Sequence, residues 1–234
     1  VEKEATSVVP AASGISGNYD VTYTLTVIND GTLNLNNLTV VDDFATQFGS
    51  NFVDVTTAPV VTNVDATTPP TANGAFDGTS ANSGMLNGTT GNILPGESFT
   101  VTVVVEVDPD ADPAAFVGQS LENSATAGGD DPSATTTTDV SDDPTDPGTA
   151  TDDPTNLSIP SIDASKTVDS VTPAASGTEG HVDVQYTVTV TNIGTATLDN
   201  LTLTEDVATQ FGGAYIGLVG TPTLTPSAGA LAPT

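Results

Sequence analysis

The chain reads as all-β, built of antiparallel sandwich domains in tandem, with the second copy incomplete. Three observations predict this. Apolar residues recur with a period of two, and no long 3.6-residue pattern is present. About seven short strand-like runs, separated by turn residues, fall within roughly 130 residues. Finally, residues 3–49 return without a gap as residues 166–212: Pro10-Ala11-Ala12-Ser13-Gly14 becomes Pro173-Ala174-Ala175-Ser176-Gly177, and Ala45-Thr46-Gln47-Phe48-Gly49 becomes Ala208-Thr209-Gln210-Phe211-Gly212. The spacing is that of a whole domain plus a linker, far longer than a solenoid unit.

The elements follow in order. Lys3 and Lys166 occupy the same slot on the first strand of each copy. Residues 21–27 alternate Val21, Tyr23, Leu25 and Val27 with threonines, the pattern of a half-buried antiparallel strand. Asn29-Asp30-Gly31-Thr32 reads as a turn. Residues 38–42 form the next strand and residues 44–48 one helical turn. Residues 51–64 hold one or two weaker strands. Residues 65–92, rich in Gly, Thr, Asn and Pro, read as a long connection with one short strand near Ala75-Phe76. The turn Leu94-Pro95-Gly96-Glu97 launches the clearest strand, residues 98–107, and residues 120–127 form another. A two-sheet sandwich of immunoglobulin type accommodates this set.

From residue 128 the character changes, with many aspartates and Pro132, Pro144, Pro147 and Pro154 against helix and central strand. The expected organisation is a sandwich over residues 1–128, an acidic Asp/Pro/Thr-rich connector over 129–163 with room for an edge strand at 133–140, and the N-terminal half of a second sandwich over 164–234. Counterparts of residues 98–107 and 120–127 would lie beyond Thr234. That half-domain is expected to be completed by further sequence or by a strand from another chain.

Thirty acidic residues against two lysines give a net charge of −28. Such a chain is a poor partner for nucleic acid, whose affinity comes from Lys and Arg on phosphates, and for an anionic membrane surface. The absence of cysteine excludes disulfides and thiol chemistry. With no run of about 18 apolar residues, no membrane-spanning segment is expected here. Val1 is no initiator and no signal-peptide pattern follows it, so the chain is expected to be a window onto a longer or processed protein.

Residues 21–32 (VTYTLTVINDGT), 184–206 (VQYTVTVTNIGTATLDNLTLTED), 94–110 (LPGESFTVTVVVEVDPD), 121–127 (LENSATA) and 141–155 (SDDPTDPGTATDDPT) resemble the Thr-rich immunoglobulin-like tandem repeats of large prokaryotic secreted and cell-surface proteins. The resemblance implies extracellular stalks, adhesins, sheaths or fibres, no particular ligand and no catalytic residues.

The residues themselves also argue against an enzyme. His181 is the sole histidine and answers to Asn18 in the first copy, so it reads as a surface loop residue. Nucleophile–base constellations and zinc sites have almost no material. The aspartates suggest calcium, a hard cation that takes six to eight oxygens. Asp108, Asp110 and Asp112 alternate just after the strongest strand. Asp42 and Asp43 recur as Glu205 and Asp206. Asp130, Asp131, Asp142, Asp143, Asp146, Asp152 and Asp153 crowd the connector. These twelve aspartates are the candidate metal ligands, placed at domain junctions. The alternative reading is a solvated or halophilic acidic surface.

The lysines invite a second expectation. Some surface sandwiches cross-link a first-strand Lys to a last-strand Asn through an amide. Here Lys3 and Asn123 would pair, with Asp20, Asp42 or Asp43 assisting. Otherwise the Lys snorkels, its stem on the core and its amine in water. Asn37, Asn200, Asn87 and Asn156 begin glycosylation sequons.

The expected function is thus an extracellular structural protein, the repeating unit of a calcium-stiffened cell-surface stalk, fibre or filament. Its partners would be further copies, head to tail or by strand donation. The alternatives are an adhesin module using the 65–92 loop and an accessory repeat of a large secreted enzyme.

Overall fold

A computed structural model of the chain describes all residues except 64, 89, 113–120, 147–150, 225–229 and 233–234. Backbone contacts divide it into two units, Val1–Ile159 and Pro160–Thr234.

In the first unit the period-two runs become strands. β1 (Glu2–Pro10) pairs with β2 (Tyr19–Ile28), and β2 pairs in unbroken register with β6 (Ser98–Val107). β4 (Phe52–Asn63) closes this sheet, in the order β1-β2-β6-β4, all antiparallel. Three register shifts bend β4 along β6, which explains its weak sequence pattern. The second sheet has the order β5-β3-β8-β9, with β3 (Leu35–Val41), β5 (Thr90–Ile93), β8 (Thr126–Asp130) and β9 (Thr136–Val140). Val21, Tyr23 and Leu25 of β2 and Val101, Val103 and Val105 of β6 are buried in one cluster with Leu38, Val40 and Ala127 of the other sheet. This is the core of an antiparallel β-sandwich, each such side chain contributing about 1.5–3 kcal/mol. The helical turn α1 (Phe44–Phe48) adds two buried rings.

Three expectations change in detail. Residues 121–127 are not one strand: β7 (Leu121–Asn123) and β8 are separated at Ser124-Ala125, and residue 120 lies outside the described residues. β8 stays with β3, whereas β7 leaves that sheet to pair with β10 (Thr155–Leu157). The break is held locally. Gln47 donates to the carbonyl of Ser124 at 3.0 Å and accepts from its N–H at 2.7 Å, and Ser141 Oγ accepts from Ala125 N–H at 3.0 Å. The strand expected near Ala75-Phe76 is instead a turn, closed on Asn73, and Thr90–Ile93 supplies the strand. Phe76, Met85 and Leu86 enter the core, so the 65–92 segment spends its apolar residues inward. Finally, the acidic segment contributes structure to the first unit. β9 forms the edge expected near 133–140, β10 pairs with β7, and Leu157 and Ile159 are fully buried in the first core.

The second unit repeats local detail. β11 (Ile162–Pro173) and β12 (Val182–Asn192) form a hairpin whose register shifts between Val168 and Ser170, at the position of the Ala5/Ser7 shift in β1. Asn37 and Asn200 both hold a left-handed backbone, φ 51° and 54°, which Asn tolerates. α2 (Val207–Phe211) matches α1. β13 (Leu198–Asp199) pairs with β14 (Ala230–Leu231). Among the described residues no strand pairs with the second edge of β12. Val184, the counterpart of the buried Val21, is exposed.

Candidate functional site

The two lysines and their carboxylates form the chain's repeated polar feature. In the first unit, β1 directs Lys3 into the sandwich from a position opposite Leu25. The end of β3 delivers Asp42, whose N–H donates to the carbonyl of Ser83 at 2.9 Å. β7 delivers Asn123. The three side chains meet. Lys3 Nζ donates to Asp42 Oδ2 at 2.5 Å, and Asn123 Nδ2 donates to Asp42 Oδ1 at 2.9 Å. Lys3 and Asn123 are 0% exposed and Asp42 is 1% exposed.

The surroundings are aromatic. Lys3 Nζ lies 4.6 Å from the ring centroids of both Tyr23 and Phe44, within cation–π range. Tyr23 and Phe44 are themselves 5.3 Å apart and lead a chain of rings through Phe48, Phe52 and Phe76. Gln47 Nε2 reaches Asp42 Oδ1 at 3.4 Å while gripping Ser124, so α1 fixes both the acid and the residue after Asn123. The outer edge of β1 is closed by the acidic segment: Lys3 N–H donates to the carbonyl of Asp142 at 2.9 Å and Thr155 Oγ1 donates to the carbonyl of Lys3 at 2.8 Å.

Two polar atoms here are buried without a hydrogen-bond partner, Asn123 Oδ1 and Tyr23 Oη. An unsatisfied buried group costs about 1–3 kcal/mol. Burial pushes the Lys3 amine below its ordinary range, opposed by the adjacent Asp42. Burial pushes the Asp42 carboxyl up, opposed by Lys3 and by the Asn123 hydrogen bond and assisted by Asp43. Both shifts favour the neutral forms. An amine, a carboxyl group able to hold a proton and a carboxamide thus share one water-excluded spot.

Of the three acids that could have accompanied Lys3, Asp42 alone does so. Asp20 accepts from Ala12 N–H at 2.9 Å and from Thr56 Oγ1 at 3.3 Å. Asp43 caps α1, accepting from Thr46 N–H at 3.0 Å and Thr46 Oγ1 at 2.7 Å. Asp206 caps α2 in the same way. The repeated acid pair therefore has two structural jobs, one residue on the lysine and one on the helix. The second unit retains the set in more open form. Lys166 Nζ meets Glu205 Oε2 at 2.5 Å with the side chains about one-third exposed, Tyr186 lies 4.5 Å from the amine, and Gln210 reaches Glu205 at 3.0 Å. Tyr23 and Gln47 were not singled out from the sequence; their repetition as Tyr186 and Gln210 was the available signal.

Of the twelve aspartates expected to bind calcium, Asp42 is taken up by Lys3 and Asn123 and Asp43 by the α1 cap, and the others lie elsewhere. Asp108 accepts from Asp110 N–H at 2.9 Å, and the carbonyl of Asp112 accepts from Asn51 at 3.4 Å. Asp130 accepts from Thr136 and Asn37, Asp131 from Ser133 and Thr135 N–H, and Asp143 from Thr145 and Asn156 N–H. Asp142 accepts from Asp152 N–H. Asp146 N–H donates to the carbonyl of Asp143 at 3.2 Å, and Asp153 is half-buried. Among the described residues no three acidic or imidazole side chains converge as a metal-binding group. The four sequon asparagines are exposed, Thr89 of one sequon lying outside the described residues. Among the described residues no helix is long and apolar enough to cross a membrane.

No protein-family model matches the chain, and no curated protein matches it significantly. Among solved structures, the chain is similar to a crystal structure of BcpA, the major pilin subunit of Bacillus cereus, at 9% identity and a TM-score of 0.32. The match covers 77% of this chain and 51% of that one, so the chain spans about half the length of the pilin. At that score the likeness carries no argument about this chain.

Proposed function

We propose that the chain is a repeating unit of an extracellular structural protein, building a stalk, fibre or filament at a cell surface. The observation that carries this reading is the return of the first part of a folded unit in fine detail. The bulge in the first strand, the Asn in left-handed backbone, the Asp-capped helical turn and the lysine–carboxylate contact over a tyrosine all recur. Repeating a domain lengthens a chain without adding reacting groups. The partners are further copies, head to tail. The open edge of β12 and its exposed apolar face are completed by continuing sequence or by a strand from another copy, since main-chain hydrogen bonds suffice to extend a sheet.

Calcium stiffening belongs to the same proposal and rests on composition alone: a charge of −28 needs screening or bridging to permit close packing of copies. Sedimentation velocity on the native assembled material tests both parts, first in about millimolar calcium, the range of extracellular modules, and then in excess chelator. Long particles that soften or disassemble on chelation support fibre and calcium together. Long particles indifferent to chelation keep the fibre and remove calcium. Compact particles under both conditions overturn the fibre reading.

A further inference from the structure

We propose that Lys3 and Asn123 become joined by an intramolecular amide bond whose formation is assisted by Asp42, covalently stapling β1 to β7. The inference goes beyond the surface role and does not depend on it.

Four observations carry it. Lys3 Nζ and Asn123 Nδ2 both contact the two oxygens of one carboxylate, at 2.5 and 2.9 Å, so amine and carboxamide are held side by side. All three side chains are shut away from water. The rings of Tyr23 and Phe44, each centred 4.6 Å from Nζ, and the Asp42 carboxylate all crowd the amine, which limits where it can turn. Asn123 Oδ1 is completely buried and unpartnered, an arrangement a purely structural asparagine avoids.

The chemistry balances without a further reagent. A proton passes from the Lys3 ammonium to Asp42, leaving a neutral amine. Burial favours this transfer, because it penalises both charged forms. Nζ attacks Cγ of Asn123, a new C–N bond forms, and the bond from Cγ to Nδ2 breaks. The protonated Asp42 supplies its proton to the departing nitrogen, which leaves as ammonia, and then takes one from the attacking nitrogen, ending protonated. One amine and one primary amide become one secondary amide and ammonia, with no change of oxidation state. Holding the partners together replaces a bimolecular encounter, the largest obstacle to aminolysis of an amide. Exclusion of water protects the product from hydrolysis. Asp42 then bridges the new N–H and C=O.

The second unit supplies an internal control. Lys166 repeats the amine and Glu205 the acid, but the position answering to Asn123 lies beyond Thr234, so one amide is expected in this chain.

The test is intact-mass measurement on the folded full chain, followed by digestion with a Glu-specific protease and tandem mass spectrometry. The expected result is a mass lower by one ammonia, with a branched peptide joining Lys3 to Asn123. Lys3→Arg and Asn123→Ala are expected to restore the full mass, Asp42→Asn to abolish or greatly slow the loss, and Lys166→Arg to leave it unchanged. Circular dichroism checks that each variant is folded. If a variant does not fold, the branched peptide in the natural sequence decides alone. A folded chain at full mass overturns the proposal. So does loss of ammonia without a branch, as cyclisation at Asn123-Ser124 would produce.

Discussion

Asn123 donates a hydrogen bond to Asp42 at 2.9 Å across 81 residues of chain, on the same carboxylate that receives Lys3. The carboxylate is therefore the centre of the site, and its removal strands a buried amine. In an Asn123→Ala background, where no amide can form, Asp42→Ala is expected to destabilise the first unit by about 3–5 kcal/mol, because Lys3 is left as an uncompensated charge. The double change Lys3→Met with Asp42→Leu in that background is expected to recover much of the loss, since apolar replacements remove both desolvation penalties. Urea unfolding midpoints measure both. A small effect of Asp42→Ala would mean that water reaches Lys3.

Tyr23 offers a sharper test of burial. Its hydroxyl is enclosed without a partner, and burial together with the Asp42 charge raises its pKa well above the ordinary phenol value. Tyr23→Phe keeps the ring contacts with Phe44 and Phe48 and deletes the orphan group. The variant is expected to be as stable as the parent or more stable by about 1 kcal/mol. A clear loss of stability in thermal unfolding would show that the hydroxyl has a partner in solution.

Much of this architecture was legible in the sequence, and the reasons are local. The alternation of Val21, Tyr23, Leu25 and Val27 reports a face directly, because strand periodicity is a property of the backbone. The Leu94–Glu97 turn, the helical turn at Phe44 and the duplication are equally local. The split between β7 and β8 was not legible, because residues distant in sequence cause it: Gln47 holds Ser124 and Ser141 holds Ala125. The acidic segment read as connector because its prolines and aspartates hide β10, whose partner β7 lies far back in the chain, whereas β9, a hairpin with the preceding β8, falls where the edge strand was expected. Thr155 meets Lys3 across 152 residues. Lys3 and Asn123 could be named as a pair, yet three acids were open beside them. Geometry selects Asp42, since Asp43 is turned onto its own helix.

The corner before β6 should set part of the acid sensitivity. Glu97 accepts from Leu94 N–H at 2.8 Å, from Thr67 N–H at 2.8 Å and from Thr67 Oγ1 at 2.6 Å, which together hold its carboxyl below the ordinary 4.5. A carboxyl depressed in the folded state stabilises above its unfolded value, and that contribution is lost as pH falls through the folded value. Glu97→Gln keeps one acceptor but cannot titrate. Its stability is expected to fall less steeply than the parent's below pH 4.5, with a lower plateau at neutral pH. Unfolding midpoints measured as a function of pH would show parallel curves if the Glu97 contacts do not form.

Leu157 decides where the first domain ends. It sits in β10, paired with Leu121, and is fully buried with Ile159 in the first core, although its neighbours read as a solvated connector. If the contacts are those of a core, Leu157→Ala leaves a cavity and costs about 2–5 kcal/mol, as for other buried leucines. If residues 155–159 merely tether two domains, the change falls within about 0.5 kcal/mol, the range of surface substitutions. The position also bears on the lysine site, because Thr155 of the same strand bonds the carbonyl of Lys3. Loosening β10 should therefore admit solvent beside β1. Hydrogen exchange at Lys3 N–H, which donates to Asp142, is expected to accelerate in Leu157→Ala while exchange in the β2–β6 pair stays slow. Equal acceleration in both places would mean that the whole unit opens together and that β10 has no special hold on the site.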